Sequence, residues 1–396
     1  MNIPLVDLKA QYKSVEKEAN KKVKEVLSSA SYIMGKDVIE FEKEFAEYVG
    51  VKHAISVGNG TDALVVALMA LGIGKGDEVI TTPFTFFATA ESISFVGAKP
   101  VFVDVEKDTY NINPSKIEEK ITEKTKAIMP VHIFGQPAKM DEIKTIARKY
   151  NLQVIEDAAQ AFGAEYKGKK VGSIGDVGCF SFFPTKNLGC AGDGGMITTS
   201  DDNIATIARA LRTHGSGENG QRAYNLLNNI TEEVKTSEGH DDTVYNPLKY
   251  YNYLIGFNTR LDTIQAAILR SKMSHIDMWN EKRRENAKLY DEKLKDSSIT
   301  VPVTINEGKS VYNMYVVQSE NRDEMVNKLK EKGISTGVYY PVPMHLQKVY
   351  KDLGYKEGDM PAAEYLSHRT FAIPIFPELT HEQKEYIIDT VKNISK

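Results

Sequence analysis

The hydrophobic residues of this chain fall into short apolar runs, separated by longer stretches in which apolar residues recur at helical spacing. Short continuous runs indicate strands buried on both faces, and the helical stretches between them indicate crossover connections. We therefore predict an α/β fold with a mostly parallel seven-stranded sheet between two layers of helices. The predicted strands span residues 54–57, 78–81, 101–105, 127–131, 154–156, 177–182 and 196–199. The predicted helices span residues 11–28, 36–49, 61–71, 85–95, 114–121, 140–150 and 204–212.

The pattern breaks down in residues 215–253, which are rich in Asn, Gly, Glu and Tyr and show no clean period. A stretch of this length is too long for a simple connection, so we interpret it as an inserted segment that is either functional or mobile. Its last part, residues 245–253, offers several Tyr rings and Lys249 to a nucleotide base and its diphosphate. The composition of residues 215–253 fits a disordered surface loop equally well.

A smaller α+β unit is predicted in the last third of the chain. Two long helices at 261–278 and 280–294 lead into strands at 311–317, 334–339 and 371–375 and helices at 323–332 and 382–393. We therefore divide the chain into a large domain, residues 1–255, and a small C-terminal domain, residues 256–396.

Composition narrows the class of partner. The 396 residues carry a formal net charge of −4, which gives no basic surface for nucleic acid. Cys179 and Cys190 are too few for a disulfide framework and are expected to be reduced packing residues. The first residues lack the pattern of a signal peptide, no apolar run reaches the length of a bilayer, and the histidines lack metal-ligand spacing. We expect a cytoplasmic protein without a metal site.

One lysine lies directly after a predicted strand, in the tight loop SFFPTKNLG at residues 181–189. An amine held on a rigid element in this way is suited to forming an imine, and the lysine is Lys186. Another buried strand ends at Asp157, whose carboxylate can keep a pyridine nitrogen protonated. These are the two groups that pyridoxal phosphate (PLP) needs most. The alternative for Asp157 is an ordinary helix N-cap.

A phosphate site is indicated by GNGTD at residues 58–62, where a strand ends and a helix begins. The glycines allow a close approach of the backbone, and the free amides of the first helical turn together with the Thr61 hydroxyl attract an anion. The alternative is that Thr61 simply caps the helix. Lys186, Asp157 and this segment all lie at the carboxyl ends of predicted strands, and such ends meet at one edge of a parallel sheet. The presence of Lys186 and Asp157 therefore favours the phosphate site over the helix cap. No GxGxxG follows the first strand, which argues against a dinucleotide enzyme.

The stretch DAAQ at residues 157–160, followed by SFFPTKNLG, resembles the DegT/DnrJ/EryC1/StrS family of PLP-dependent nucleotide-sugar aminotransferases. The resemblance extends from PLVDL at residues 4–8 to the C-terminal helix. It implies PLP fold-type I, similar to aspartate aminotransferase, with a large domain and a smaller C-terminal one. It also implies a homodimer with two shared active sites.

The resemblance assigns the contacts of the cofactor. Lys186 would hold PLP, Asp157 and Gln160 would contact the pyridine nitrogen and the ring hydroxyl, and Asn258 would reach the phosphate of the neighbouring subunit. The full set of implied cofactor-binding residues is Gly60, Thr61, Phe86, Asp157, Gln160, Ser181, Lys186 and Asn258.

Several of these assignments leave alternatives open. Phe86 would stack on the pyridine ring, whereas Phe84 and Phe87 are expected to be core residues. Asn258 or Thr259 can instead cap the next helix, and Arg260 is expected to be a structural ion-pair partner. Gln160 can instead be a surface residue.

The implied reaction moves the amino group of L-glutamate to a keto sugar linked to UDP or dTDP, with Lys186 carrying the proton. A 3-keto sugar, either a UDP-N-acetylhexosamine uronic acid or a dTDP-3-keto-6-deoxyhexose, is favoured over a 4-keto sugar. The substrate would contact His214, Tyr340 and His345, although a lone histidine is more often structural, and His132 is expected to be so. A PLP sugar dehydratase and a non-enzymatic regulator stay open, but those dehydratases carry histidine where this chain has Lys186.

Overall fold

The computed structural model describes residues 1–232, 234 and 250–394. A seven-stranded sheet forms its centre. Its strands are β1 (His53–Val57), β2 (Glu78–Thr81), β3 (Lys99–Phe102), β4 (Thr125–Ile128), β5 (Gln153–Asp157), β8 (Val177–Ser181) and β9 (Gly195–Thr199). They lie in the order β1-β9-β8-β5-β4-β2-β3, and all neighbours run parallel except β9, which is antiparallel to both β1 and β8. This mostly parallel sheet confirms the predicted fold class.

Helices cover both faces of the sheet, and the alternation along each strand decides which face a side chain meets. Ile55, Ile155 and Cys179 pack in one buried cluster with α3 and α6, whereas Ala54 and Phe180 pack in another with α1, α2 and α8. Because both faces are covered, the strands have few polar positions. These helices are α1 (Leu8–Ser29), α2 (Lys36–Val49), α3 (Gly60–Ala70), α4 (Ala88–Phe95), α5 (Met140–Tyr150), α6 (Asp202–Leu211) and α8 (Thr263–Met273).

The C-terminal unit has its own core around a two-stranded antiparallel sheet of β11 (Tyr315–Gln318) and β12 (Thr370–Ile373). A second small sheet links it to the rest of the chain, because β10 (Gly308–Lys309) pairs with β6 (Glu165–Tyr166), which pairs with β7 (Lys169–Lys170). The remaining helices of this unit are α9 (Ile276–Leu294), α10 (Arg322–Glu331), α11 (Pro361–Arg369) and α12 (His381–Ile394). Helix α8 packs on α1 and α2, and its Arg270 binds Asp37 and Glu44.

Part of the segment predicted to be aperiodic is a helix, α7 (Gly217–Leu227). Two glycines and two asparagines lower its intrinsic helix propensity, which is why the sequence pattern missed it. Packing holds it in place, since Ala223 is fully buried. A Cβ on Gly220 would lie 2.0 Å from the Gly215 carbonyl oxygen, so only glycine fits there. Of the run 245–253, residues 245–249 lie outside the described residues, and Tyr250 and Tyr251 are exposed.

Three other predicted elements differ from the structure. Residues 114–121 form two 3₁₀ turns, Pro114–Lys116 and Glu118–Lys120, because the Asn113 side chain caps a tight turn. Residues 334–339 form only isolated bridges, and β11 begins after Tyr312, whose positive φ of 42° interrupts an extended chain.

The two cysteines are buried and free, as predicted. Across the described ranges, no helix has the length and apolar composition needed to cross a bilayer.

Candidate active site

The predicted site residues converge at the carboxyl ends of the parallel strands. Asp157 ends β5 and Ser181 ends the neighbouring β8, while Gly60 begins the helix that follows β1. A Cβ added to Gly60 would lie 2.7 Å from the Ser181 Cβ, so the two segments are in close contact. This edge is where open α/β sheets bind ligands.

Lys186 lies in the loop after β8, which is anchored on both sides. The Lys186 amide donates to the Phe183 carbonyl oxygen at 2.9 Å. The adjacent Asn187 is buried and donates through Nδ2 to Asn280 Oδ1 at 2.7 Å and to the Val311 carbonyl oxygen at 3.0 Å. The loop therefore holds Lys186, a half-buried residue, just beyond the end of β8.

The buried environment of Lys186 makes its amine easier to deprotonate than that of an ordinary lysine. Burial lowers the pKa of Lys186 to about 8, and the Asp157 carboxylate opposes only part of this shift. Nζ has no hydrogen-bond partner within the described part of the chain. A neutral and unpartnered amine is the state that attacks an aldehyde.

We expect the apoprotein to form an imine with pyridoxal at a rate that rises with pH and levels off near pH 8, because only the neutral Lys186 amine reacts. The measurement is the visible absorbance of the imine, with the signal of a Lys186→Ala variant subtracted to remove surface lysines. A rate that keeps rising beyond pH 10, as for an ordinary lysine, would contradict the lowered pKa.

Asp157 is buried and accepts two hydrogen bonds. Thr89 donates its hydroxyl proton to Oδ2 at 2.7 Å, and the Ala159 amide donates to Oδ1 at 3.2 Å. Since the Thr89 proton is committed to Asp157, the Thr85 hydroxyl donates to Thr89 Oγ1 at 3.0 Å. Burial raises the pKa of Asp157, against the bonds from Thr89 and Ala159 and the charge of Lys186. No helix follows β5, so the helix N-cap alternative is wrong.

A buried carboxylate lies directly behind Asp157 on the opposite face of β5. Glu156 Oε2 is 2.8 Å from His132 Nε2, and both side chains are fully buried. The Ala138 amide donates to His132 Nδ1 at 3.0 Å, so Nε2 carries the proton that Glu156 accepts. Glu156 also accepts the backbone amides of Gly172 at 2.8 Å, Ile174 at 2.7 Å and Gly175 at 2.6 Å. The structural role expected of His132 is confirmed, and Glu156 joins β5 to the turn that leads into β8.

We expect Glu156→Gln to destabilise the apoprotein by about 3 kcal/mol, because an amide cannot accept the four buried N–H groups that the carboxylate satisfies. The measurement is the urea midpoint at fixed protein concentration, followed by the fluorescence of the single tryptophan, the buried Trp279. Glu118→Gln, which breaks an exposed pair with Lys149, is the control and should leave the midpoint unchanged.

The pH dependence of this difference follows from the Glu156 pKa. Burial acts to raise that pKa, but the bonds from His132, Gly175 and Gly172 outweigh burial and hold it below the ordinary value of 4.5. The stabilisation is therefore complete above pH 4.5 and is lost as pH falls through the lowered pKa. The urea midpoints of wild type and Glu156→Gln should therefore converge as the pH falls through the lowered pKa of Glu156. Equal midpoints at pH 7 would contradict the role of Glu156.

The rings of the loop after β2 divide as predicted. Phe84 is fully buried and packs edge-on against Phe134, with ring centroids 6.2 Å apart. Phe87 packs on Tyr350 and is half-buried. Phe86 is 60% exposed, which leaves its ring free to cover a flat ligand.

Gln160 is buried, so its alternative as a surface residue is wrong. The Phe134 amide donates to Gln160 Oε1 at 2.9 Å, which turns Nε2 toward the Tyr340 hydroxyl at 2.9 Å. Burial raises the pKa of Tyr340, and its hydroxyl accepts from Gln160, so the phenol proton is free for a ligand. Tyr340 thus lies at the cofactor end of the site, and its contact with substrate stays a prediction.

The helix that begins at Gly60 presents unused donors. Its N-cap is Asn59, whose Oδ1 accepts the Asp62 amide at 2.8 Å, so the alternative that Thr61 caps the helix is wrong. Among the described residues, the Gly60 and Thr61 amides and the Thr61 hydroxyl have no hydrogen-bond partner. Ser181 Oγ accepts the Phe183 amide at 3.3 Å and keeps its own proton. These groups form a cradle for an anion.

Asn258 is exposed and does not cap a helix, because α8 begins later, at Thr263. Arg260 donates to Asn258 Oδ1 at 2.5 Å, which leaves the Asn258 Nδ2 group as a free donor. Arg260 forms no ion pair with any described residue, so its expected role as an ion-pair partner is wrong. His214 is exposed on the neighbouring strand-like segment, where Thr213 bridges to Asn258.

His345 is placed differently from a pocket residue. Its ring is fully buried, and Nε2 lies 3.0 Å from Glu364 Oε1. The His345 ring does not reach the surface of this chain, so the geometry favours the structural alternative for it.

The donor set fits PLP. A neutral amine is available for its aldehyde, a buried carboxylate with a raised pKa for its pyridinium, and an exposed ring for its face. The Gly60–Ser181 contact and the unused donors of α3 suit its phosphate. The residues that would hold it are Lys186, Asp157, Gln160, Phe86, Gly60, Thr61 and Ser181.

The model of the DegT/DnrJ/EryC1/StrS aminotransferase family matches residues 13–392. The chain belongs to this family. A pleiotropic regulatory protein of Geobacillus stearothermophilus is 45% identical over 99% of this chain and 98% of its own length. A UDP-N-acetyl-3-dehydro-alpha-D-glucosamine 3-aminotransferase of Acidithiobacillus ferrooxidans is 40% identical over 98% of this chain and 97% of its own length. The crystal structure of S. venezuelae DesV with a ketimine intermediate has 37% identity and a TM-score of 0.89, and covers 100% of this chain and 99% of DesV.

These similarities confirm, at the level of the family, the predictions of fold-type I, of PLP as cofactor and of a sugar aminotransferase. The residue roles and the division into two domains stay predictions. Sequence reasoning missed Thr89 and Glu156. Thr89 was visible only as a threonine four residues after Thr85, and Glu156 as a charged residue inside an otherwise apolar strand.

Proposed function

We propose that this chain moves the amino group of L-glutamate to the keto group of a sugar carried on a nucleoside diphosphate. The observation that carries the proposal is the position of Lys186 directly after β8, next to the strand that ends in the buried Asp157, at the carboxyl edge of a fold-type I sheet. The family match and the 3-aminotransferase relative support it. The chemistry is a ping-pong exchange in which glutamate leaves as 2-oxoglutarate before the keto sugar accepts the nitrogen.

When bound, PLP supplies an electron sink and carries the amino group between the two substrates. Lys186 would hold the cofactor, and its Nζ in the neutral state would take the proton from the substrate α-carbon. Asp157 would keep the pyridine nitrogen protonated, and Phe86 with Gln160 would fix the plane of the ring. Thr85 and Thr89 orient the Asp157 carboxylate.

A 3-keto sugar is the favoured acceptor, either a UDP-N-acetylhexosamine uronic acid or a dTDP-3-keto-6-deoxyhexose, for amino-sugar and surface-polysaccharide synthesis in the cytoplasm. The Acidithiobacillus relative, whose name specifies a UDP-linked 3-keto sugar, supports this choice. A 4-keto sugar is the alternative. His214 and Tyr340 are the residues we assign to the acceptor.

The test is a matrix of amino-acceptor assays. The purified holoenzyme is incubated with glutamate and with UDP- or dTDP-linked 3-keto and 4-keto sugars, and the amino sugar is measured by mass spectrometry. We expect turnover with a 3-keto sugar at least about tenfold faster than with a 4-keto sugar. Turnover with neither class, from a protein that still converts glutamate to 2-oxoglutarate, would overturn the sugar assignment.

A regulatory role without catalysis is the second candidate, prompted by the relative named a pleiotropic regulatory protein. The complete set of Lys186, Asp157 and Thr61 argues against it. Absence of visible PLP absorbance in purified protein, together with no glutamate conversion, would favour the regulator.

We further propose that two chains form a homodimer with shared sites, in which Asn258 of each chain serves the phosphate of the other. Asn258 is exposed. Ile255, three residues earlier, is 91% exposed, and Phe95, whose ring centroid lies 6.4 Å from that of Phe257, is 67% exposed. Apolar side chains exposed to this degree around a free amide support an interface there.

We expect that mixing an inactive Lys186→Ala subunit with an inactive Asn258→Ala subunit restores up to about half of wild-type activity per dimer. In the heterodimer both lesions fall in one site, and the other site is intact. The measurement is amino-sugar formation by purified heterodimers carrying two different tags. No recovery in heterodimers whose parents are folded would place each site within one chain.

A further inference from the structure

Asp62 has no role in the site described above, although it follows Thr61 on the first turn of α3. Its side chain is engaged by two other residues. Asn59 Nδ2 donates to Asp62 Oδ2 at 3.0 Å, and the Thr259 hydroxyl donates to the same oxygen. Asp62 therefore joins the start of α3 to a segment almost two hundred residues later.

Thr259 is buried and is held from both sides. Its Oγ1 accepts the Gly58 amide at 3.0 Å while its proton goes to Asp62. Gly58 and Asp62 flank the cradle formed by Gly60 and Thr61, so one hydroxyl connects both ends of that cradle. We call the bond between Asp62 and Thr259 the clamp.

Asn258 immediately precedes Thr259 and is exposed. Asn258 forms a β-bridge with Thr213, and side chains alternate along an extended chain, so the inward Thr259 leaves the preceding Asn258 side chain directed outward. Arg260 then holds Asn258 Oδ1 and leaves Nδ2 as the free donor. The outward amide is therefore supported by a residue on each side of it.

We propose that Asp62 is a positioning residue that, through Thr259, sets the Asn258 amide for the phosphate of the cofactor in the partner's site. The inference rests on the proposed sharing of Asn258 across a dimer. It adds a physical link between the phosphate cradle of one site and the asparagine that completes the other. Thr259 is bonded to Asp62 and adjoins Asn258, so a shift of Thr259 would move the Asn258 amide.

The first test compares PLP with pyridoxal, which lacks the phosphate. Affinities for the apoprotein are measured by absorbance titration of the imine, independently of turnover. We expect Thr259→Val to raise the Kd for PLP about tenfold and to leave the Kd for pyridoxal within about twofold. Thr259→Ser keeps the hydroxyl and should bind PLP as wild type does.

Asp62→Ala breaks the clamp from its other end and leaves the bond between Gly58 and Thr259 in place. It should show the same selective loss of PLP affinity, which keeps the test decisive if Thr259→Val does not fold. Equal weakening of PLP and pyridoxal, or no weakening of either, would overturn the role of Asp62.

The second test asks which site the clamp serves, using heterodimers in which only one chain retains Lys186. Borohydride reduction followed by mass spectrometry counts PLP on that chain alone. We expect a wild-type chain paired with a Lys186→Ala/Thr259→Val chain to lose PLP affinity about tenfold. A Thr259→Val chain paired with a Lys186→Ala chain should bind PLP normally. The opposite result would mean that the clamp acts within its own chain and would overturn the proposal.

A third heterodimer separates this inference from site sharing. It pairs a wild-type chain with a Lys186→Ala/Asn258→Ala chain. If Asn258→Ala on the Lys186→Ala chain weakens PLP binding and Thr259→Val on that chain does not, site sharing is retained and the role of the clamp is rejected. No effect of Asn258→Ala in the partner would reject site sharing itself, and the proposal with it.

Discussion

Replacing Lys186 by alanine is expected to lower transamination at least about a thousandfold, because the same amine both holds the cofactor and moves the substrate proton. No other described lysine is placed at this edge of the sheet with a pKa lowered to about 8. The variant should also lose the visible absorbance of the covalent bond between lysine and cofactor. The measurements are amino-sugar formation under saturating glutamate and the absorbance spectrum of the purified protein.

Lys186→Arg is the matched variant for this prediction. Arginine keeps the length and the positive charge near Asp157 but neither forms the imine nor gives up its proton at neutral pH. We expect it to be as inactive as Lys186→Ala while retaining wild-type thermal stability within a few degrees. Wild-type turnover in either variant would remove Lys186 from the mechanism.

Replacing Asp157 by alanine is expected to preserve the imine with Lys186 but to slow the half-reaction with glutamate at least about a hundredfold. The buried carboxylate is the charge that keeps the pyridine nitrogen protonated, and its loss removes the electron sink rather than the sugar site. PLP retention should also weaken. The measurement is the single-turnover rate with glutamate, followed by absorbance at several glutamate concentrations.

Asp157→Asn separates charge from shape. It can keep hydrogen bonds with Thr89 and Ala159 but carries no charge, so it should be nearly as slow as Asp157→Ala. A single-turnover rate equal to wild type in Asp157→Asn would show that shape, and not the pyridinium, is what Asp157 provides.

Elements that depend on neighbouring residues could be predicted from the sequence, and elements that depend on contacts between distant residues could not. The strands around Ile55, Ile155 and Cys179 were visible as apolar runs because both of their faces are buried. Helix α7 was not visible, because its glycines disfavour a helix and its stability depends on tertiary contacts such as the burial of Ala223. Residues 334–339 have strand-like composition, but they meet β12 only at the bridge between Gly337 and Ala372, whereas β11 pairs with the whole length of β12.

The α/β class and the pairing of Lys186 with Asp157 could be predicted from the sequence, because strand burial and a lysine in a tight loop are local features of the chain. The partners of the polar residues became visible in the folded structure. It assigned the helix cap to Asn59 instead of Thr61, buried His345 against Glu364, and set Arg260 on Asn258 in place of an ion pair. The cause is separation along the chain. Pairs such as Asp62 with Thr259 or Glu156 with His132 are brought together by the fold, so no local sequence pattern records them.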